Sequence, residues 1–406
     1  MFRNPAVWFI LLTVMVDAIG IGLMMPVMPQ LLQEINAGSL ANAALWGGVM
    51  STTFAAMQFL FGPLVGAISD RYGRRRVLLV SLTVMAIDYV IIGLAGAMWV
   101  LILARVLGGI TAANHSTAAA VMADISRPHE KAANFGLIGA AFGIGFILGP
   151  VIGGFAAEFG SRAPFYVAAV LVGAVAILGY FTLPETLKEE NRRDLDAARA
   201  QPFGAFASIG KLPGQFRMLV VYFFNEFAFM VYPAVWSFVA IGKFDWEEWL
   251  IGVSLGTFGL GMAFSQGYLI RKIIPKIGES NTVILGLSMQ GLTLLGFAFA
   301  PATWFVFALL PISALGMLGG PAMQGILSRA TPDNAQGELQ GVISSTRAVA
   351  AIVAPMVMTG LYYAATADHL AWKFYGAPFV LSAVLVLTAM LVFIGWRRNA
   401  DLAPRV

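Results

Sequence analysis

Apolar residues run through this chain in uninterrupted blocks of about twenty, separated by short polar segments. A helical block of that length crosses a hydrocarbon layer of ~30 Å, because an α-helix rises ~1.5 Å per residue. The pattern therefore predicts an all-α membrane protein. We predict twelve membrane-spanning helices, at residues 7–29, 43–66, 77–97, 99–123, 132–157, 164–183, 217–240, 249–270, 281–300, 303–327, 338–364 and 372–396.

Composition agrees with this prediction. Of 406 residues, 59% are hydrophobic and only 11% are charged, whereas a soluble domain needs more charge to cover its surface. The 44 glycines suit close helix packing in lipid. The absence of cysteine excludes disulfides, thiolate metal sites and a cysteine nucleophile. The first apolar block is too long for a signal peptide and contains Asp17, so we expect it to remain as the first span.

The distribution of positive charge predicts the orientation. With both termini placed in the cytoplasm, twenty of the 25 Lys and Arg residues fall in inner segments, three in outer loops and two within spans. Short cytoplasmic loops carry such an excess of positive charge. The isoelectric point near 9.3 could suggest a nucleic-acid partner. The scatter of this charge over short loops argues against a DNA-binding face, and we expect no nucleic-acid partner.

A long polar stretch divides the spans into six and six. Residues 184–216 read as a cytoplasmic linker between an N-terminal six-helix bundle, residues 1–183, and a C-terminal six-helix bundle, residues 217–406. The halves echo each other weakly, since Pro150 in span 5 has a counterpart in Pro355 in span 11. Such repetition suits a carrier that alternates access between two sides, although repetition alone does not exclude a channel or a membrane enzyme.

Several motifs resemble a known family. GAISDRYGRRR (66–76), LARVLGGITAANHSTAAAVMADIS (103–126) and GIGFILGPVIGG (143–154) resemble the loop, fourth-helix and fifth-helix antiporter motifs of the major facilitator superfamily. VDAIGIGLMMPVMP, AAMQFLFGPLVG, LPET and GELQG resemble the tetracycline/proton antiporters within it. This resemblance implies the superfamily fold of two six-helix halves. It also implies export of a small amphipathic drug, tetracycline-like compounds first, in exchange for protons across a bacterial inner membrane.

Five charged residues lie well inside the predicted spans, away from their ends: Asp17, Asp88, Arg105, Glu226 and Arg347. Charge is expensive there and marks a functional site unless it belongs to a structural ion pair. Asp17 and Asp88 lie ~16 Å deep, near the midplane, where loss of hydration disfavours the ionised form and allows proton exchange near physiological pH. The resemblance places span 1 on the cavity, so Asp17 is the preferred coupling residue. Asp88 has coupling and structural interpretations, and Arg105 is predicted to act as a fixed countercharge for Asp17.

The second half departs from the tetracycline pumps. Their ninth-helix acid falls at Gln290, and an eighth-helix histidine falls at Met262. Neither replacement exchanges a proton at physiological pH. Glu226 in span 7 and Arg347 in span 11 lie at a similar depth of ~15 Å. We hypothesise that Glu226 replaces the missing proton site and is restrained by Arg347. The alternative is a purely structural pair.

Polar and aromatic residues are candidates for the substrate cavity. A histidine in span 4 could relay protons or form a packing hydrogen bond. Aromatic side chains can bind amphipathic drugs, but each could equally face lipid or a neighbouring helix. The predicted cavity residues are Gln58, Asn114, His115, Tyr232, Trp236 and Gln324.

The loop after span 2 has two interpretations. In the first, its positive charge only sets the orientation of the protein in the membrane. In the second, Asp70 acts as a latch that pairs with arginine and with the positive end of a facing helix. The resemblance implies the latch, in which Gly66 allows close helix approach. The predicted gating residues are Gly66, Asp70, Arg71, Gly73 and Arg74.

The glycines of span 5 also have two interpretations. Small residues four apart normally pack helices tightly. The resemblance adds a sliding seam between the halves. The predicted motif residues are Gly145, Gly149, Pro150, Gly153 and Gly154.

Other function classes are less well supported. There is no phosphate-binding glycine-rich loop with its lysine, which excludes ATP as the energy source. The three histidines are scattered and form no catalytic or metal-binding constellation, so we expect no enzyme activity, cofactor or metal. Besides tetracycline export, the sequence allows export of another hydrophobic compound or multidrug efflux. The span 5 motif argues against uptake. We expect the chain to act as a monomer.

Overall fold

The computed structural model describes residues 5–112, 114–126, 131–187, 189–192, 201, 203–204, 215–332 and 335–402, and within these ranges it contains helices and no β-strand. All twelve predicted spans are confirmed in number and order. Spans 1 to 12 are Ala6–Asn36, Leu40–Tyr72, Arg74–Leu94, Met98–Ile125, Asn134–Ala157, Ala163–Thr182, Phe216–Phe244, Glu248–Ile277, Glu279–Ala298, Thr303–Arg329, Gln336–Thr366 and Ala377–Arg398.

The ends of several spans differ from the predicted ends. Spans 1 and 2 continue to Asn36 and Tyr72, beyond their apolar blocks, because backbone hydrogen bonds keep a helix intact after its side chains become polar. Span 12 begins at Ala377 rather than at residue 372. The preceding loop turns instead, with Lys373 paired to Asp368 at 3.0 Å.

Three spans are broken near their middle. Span 4 consists of Met98–Thr111 and Asn114–Ile125, span 7 of Phe216–Phe229 and Val231–Phe244, and span 10 of Thr303–Gly316 and Gly319–Arg329. Proline explains two of these breaks, since its ring clashes with the carbonyl four residues earlier. Pro233 follows Phe229 by four residues, and Pro321 follows Met317 by the same spacing. Apolar periodicity does not reveal such breaks.

The chain forms two compact units. Unit 1 comprises Met1–Gly38, Thr53–Pro202 and Trp246–Gly256, and unit 2 comprises Ser39–Thr52, Phe203–Asp245 and Thr257–Val406. Each unit therefore holds most of one predicted half and a short segment of the other. The predicted boundaries at 183 and 217 remain a prediction, because much of residues 184–216 lies outside the described residues.

The same pairs of helices pack together inside each of the two units. In unit 1, span 1 packs along span 5 and span 3 along span 6. In unit 2, the corresponding pairs are span 7 with span 11 and span 9 with span 12. The first and third helices of each half thus pack on its fifth and sixth helices. This regularity supports the repeat that the sequence shows only faintly.

Candidate functional site

Asp88 and Arg105 form a buried ion pair in unit 1. Arg105 Nη2 lies 2.7 Å from Asp88 Oδ2, and the two side chains are 7% and 4% exposed. The Arg105 guanidinium also lies 5.4 Å from the centre of the Phe54 ring. Gly108 makes the pair possible, because a Cβ atom there would lie 3.0 Å from Asp88 Oδ2. The bonded partner of Arg105 is therefore Asp88, and its predicted effect on Asp17 remains a prediction.

Asp17 lies beside the break in span 4. Asn114, the first residue after the break, donates a hydrogen bond from Nδ2 to Asp17 Oδ1 at 3.1 Å. On the other side of the break, Gln58 Nε2 donates to the Ala112 carbonyl at 3.1 Å. Asp17 is half-buried, whereas Asn114 is fully buried. The break in span 4 thus brings together three predicted residues, Asp17, Gln58 and Asn114. Interrupted helices of this kind line ion and substrate sites in transporters.

Glu226 and Arg347 meet in unit 2, as their equal depth suggested. Arg347 Nε lies 3.3 Å from Glu226 Oε2. The Glu226 side chain is 16% exposed, but Arg347 is 52% exposed. Tyr222 completes the group, since its hydroxyl hydrogen-bonds to Glu226 and accepts from Gln324 Nε2 at 3.1 Å. The result is a half-open polar cluster that contains three predicted residues and one that sequence reasoning missed.

The predicted aromatic wall is corrected by the structure. Tyr232 and Trp236 are each 5% exposed and lie in a buried aromatic cluster with Phe258, Phe297 and Phe379. Their rings are covered by other rings, so they pack unit 2 rather than line a cavity. Periodicity could not separate these alternatives, because both need an apolar face.

Two further positions complete the comparison with the predicted cavity. The side chain of His115 lies outside the described residues. Gln290 is 1% exposed, and its amide has no hydrogen-bond partner within the described ranges. Among the described residues, no group of three or more His, Asp or Glu side chains could hold a metal ion.

Arg74 organises the loop after span 2. It lies 2.5 Å from Asp70 Oδ1 and 3.4 Å from Asp124 Oδ2. Asp70, near the end of span 2, is thus paired in this structure with Arg74, the first residue of span 3, and its role as a latch on a facing helix remains a prediction. Arg71 is exposed and stacks on Tyr72. Gly66 has open space where a side chain would project, so no described residue makes the close approach predicted at this glycine.

Residues just outside the two ends of span 6 hold span 3 at both of its ends. The Glu185 carboxylate accepts from the backbone N–H groups of Arg74, at 2.9 Å, and Arg75, at 3.2 Å, and so caps the start of span 3. At the other end, Arg162 Nη1 donates to the carbonyls of Gly93 and Ala95 at 2.8 and 2.7 Å. An anion at a helix N-terminus and a cation at its C-terminus both complement the helix dipole.

Gly73 is required at the capped end. Its φ of +102° is strained for any other residue, and a Cβ atom there would overlap the Glu185 carboxylate. This predicted gating residue therefore has a local structural role. The LPET run contained Glu185, but only the fold shows what its carboxylate contacts.

The glycine stripe of span 5 faces span 1. Cβ atoms at Gly145, Gly149 and Gly153 would overlap backbone atoms of Met15, Ile19 and Leu23. The packing interpretation is therefore confirmed for these three glycines. The second interpretation, a sliding seam between the halves, is compatible with this packing and remains a prediction. The adjacent face of span 5 contacts residues 246–256 within unit 1, where Gly154 meets Glu248 and Trp249, and Pro150 meets Gly252.

Comparison with known proteins places this arrangement in a family. The model of the Major Facilitator Superfamily matches residues 10–355. The class C tetracycline resistance protein of Escherichia coli is 37% identical over 391 residues, which cover 96% of each chain. The class E tetracycline resistance protein of Escherichia coli is 36% identical, with 96% of this chain and 94% of that protein covered. The chain belongs to the tetracycline resistance protein family of the Major Facilitator Superfamily.

A solved structure agrees with the superfamily fold. The human organic anion transporter MFSD10 (TETRAN) matches with a TM-score of 0.71 and 24% identity, over 96% of this chain and 99% of that one. This likeness concerns the fold. The superfamily identity and the twelve spans make the protein a multi-pass membrane transporter.

Proposed function

We propose that this protein exports tetracycline-like drugs across a bacterial inner membrane in exchange for protons, as a monomer with both termini in the cytoplasm. Sequence identities of 37% and 36% with two tetracycline resistance proteins, each over 96% of this chain, support the substrate class. The twenty-to-three distribution of positive charge supports the orientation.

The observation that carries the proton-coupling proposal is the unequal exposure of the membrane acids. Asp88 is 4% exposed and its partner Arg105 is 7% exposed, so this pair is sealed from water. Asp17 is half-buried, and Glu226 has a partner that is 52% exposed. Proton exchange requires access to water or to a proton relay. We therefore assign coupling to Asp17 and Glu226, and a structural role to Asp88 and Arg105.

Glu226 offers a simple coupling mechanism. When ionised, it holds Arg347 and accepts a hydrogen bond from Tyr222. Protonation removes the charge that faces Arg347 and releases the guanidinium toward water. The cluster thus has two arrangements that differ by one proton, and a conformational equilibrium can be shifted only by such a difference in interaction energy.

The proton gradient supplies enough energy. Moving one charge through ~100 mV yields ~2.3 kcal/mol, so a proton-motive force of ~150 mV yields ~3.5 kcal/mol per proton. That corresponds to a drug gradient of roughly 300-fold for an electrogenic one-proton exchange.

Proteoliposomes test the proposed function. With purified protein and an imposed pH difference, we expect tetracycline to accumulate on the acidic side, and we expect a protonophore to abolish the accumulation. The control is liposomes without protein. Failure to move tetracycline or any other compound against its gradient would refute proton-driven drug transport.

Glu226→Gln should separate coupling from folding in the same assay. The amide cannot exchange a proton, so we expect pH-driven accumulation to be lost while exchange of labelled for unlabelled drug continues. Stability should fall by no more than about 1 kcal/mol, because the half-exposed Arg347 can be solvated. Glu226→Asp should retain part of the coupling. Normal accumulation by a folded Glu226→Gln protein would remove Glu226 from the coupling scheme.

A second candidate function is export of a different hydrophobic compound. Gln290 and Met262 stand where the pumps carry an acid and a histidine, and the Gln290 amide is buried without a hydrogen-bond partner in the described part of the chain. Replacing a polar group that contacts a substrate changes substrate preference. A drug-susceptibility panel on expressing cells distinguishes this candidate, since resistance to other compounds without tetracycline resistance would favour it.

A further inference from the structure

A basic surface lies at one end of unit 2. It combines the end of span 8 with the end of span 12, which the loop charges assign to the cytoplasmic side. Arg397 Nη1 lies 2.7 Å from Asn281 Oδ1, and Asn281 Nδ2 donates to the Ile277 carbonyl at 2.8 Å. These contacts bring the two ends together. The basic surface consists of Arg271, Lys272, Lys276, Arg397 and Arg398.

Three cations of this surface have no acidic partner within the described part of the chain. Arg271, Lys272 and Lys276 are exposed, and none of the three forms an ion pair there. The nearby acid Glu279 is already paired with Arg329. Acids do pair the cations elsewhere on the predicted cytoplasmic side, as Asp70 and Asp124 do with Arg74. Arg271, Lys272 and Lys276 are therefore available to an external anion.

Apolar and aromatic groups adjoin the cations. The segment Ile270–Ile277 ends span 8 as a short helix, with isoleucines at 270, 273, 274 and 277 on one face and the three cations on the other. Just before it, Phe264 and Tyr268 are 57% and 56% exposed and stacked at 5.5 Å. The Lys272 ammonium lies 6.0 Å from the Tyr268 ring. Exposed aromatic residues of this kind sit at the headgroup level of membranes.

We propose that the basic surface binds the headgroup of an anionic phospholipid. The cations would contact the phosphate, while the isoleucine face and the two aromatic rings would lie against the acyl chains. Only a lipid complements both parts, since a free anion would leave the apolar face uncovered and an acidic peptide would not be held at the membrane surface. The excess of positive charge in cytoplasmic loops would by itself explain the cations, but it does not explain the exposed aromatic rings beside them.

Native mass spectrometry of the full chain in detergent tests the proposal. Phosphatidylglycerol should bind more tightly than phosphatidylcholine of the same chain length. Removing three charges with Arg271→Gln, Lys272→Gln and Lys276→Gln should weaken phosphatidylglycerol binding by about fivefold per charge, or on the order of a hundredfold in total. Rising salt should weaken binding to the unmodified protein more than to the triple variant.

The matched control removes three other exposed arginines, with Arg76→Gln, Arg192→Gln and Arg217→Gln. It lowers the formal net charge of +4 by the same amount. We expect a loss below about fivefold for this control. The charge-conserving variant Arg271→Lys, Lys272→Arg, Lys276→Arg should bind normally. Equal loss in both charge-removing variants, or unchanged binding in the first, would overturn the proposal. Complete displacement of the lipid by millimolar inorganic phosphate would overturn it as well.

Discussion

Replacing Arg105 by methionine is expected to cost about 3–5 kcal/mol of folding free energy, because the substitution leaves the Asp88 carboxylate buried without its ionic partner. The carboxylate is 4% exposed, so water cannot take over the role of the guanidinium. Thermal unfolding of the purified protein, followed by the loss of its monodisperse peak in size-exclusion chromatography, measures the effect.

The double variant Asp88→Asn, Arg105→Gln is the decisive control. It removes both charges together, and uncharged replacements of a buried pair are often neutral or stabilising. We expect it to recover most of the stability and to transport drug, since the pair is sealed from water. A double variant that folds but does not transport would instead show that the pair takes part in coupling.

Replacing Gly149 by alanine is the second substitution with a large expected effect. The new Cβ atom would lie 2.6 Å from the Ile19 carbonyl oxygen and 3.0 Å from the Gly22 Cα atom, both of which belong to the backbone of span 1. A backbone cannot give way as a flexible side chain does, so spans 1 and 5 must separate. We expect a loss of about 1–3 kcal/mol or more, together with reduced expression of folded protein.

Gly143 provides a matched control on the same helix. A Cβ atom at Gly143 meets nothing within 4 Å, and Gly143→Ala should therefore be neutral or stabilising by about 0.5–1 kcal/mol. Fluorescence-detected thermal unfolding of the two variants in parallel measures the difference. Equal unfolding temperatures for Gly149→Ala and Gly143→Ala would contradict the close approach of spans 1 and 5.

The division of roles among the membrane acids connects these variants to function. Asp88 and Arg105 hold unit 1 together, and Glu185 and Arg162 fix the ends of span 3, which carries Asp88. In contrast, Glu226 lies beside an exposed arginine and on a broken helix, in the last turn before the break in span 7. We therefore expect substitutions in the first group to alter stability and substitutions at Glu226 to alter coupling.

The sequence by itself determined the twelve spans and the depth of their charged residues. Lipid imposes both, because a spanning helix needs about twenty apolar residues and a buried charge is costly. The similar depth of Glu226 and Arg347 led to the hypothesis that Arg347 restrains Glu226, and the two side chains do meet. The packing interpretation of the span 5 glycines followed from their spacing of four residues, and their contacts with span 1 confirm it.

Only the tertiary structure decided which residues at the same depth contact each other. Asp17 and Asp88 share one depth, so sequence could not determine which of them bonds to Arg105; Gly108 brings Asp88 into place. Tyr232 and Trp236 could have faced a cavity or a core, and neighbouring rings place them in the core. Hydropathy records how deep a residue lies in the membrane, but the rotation of each helix about its axis depends on contacts with helices distant in the chain.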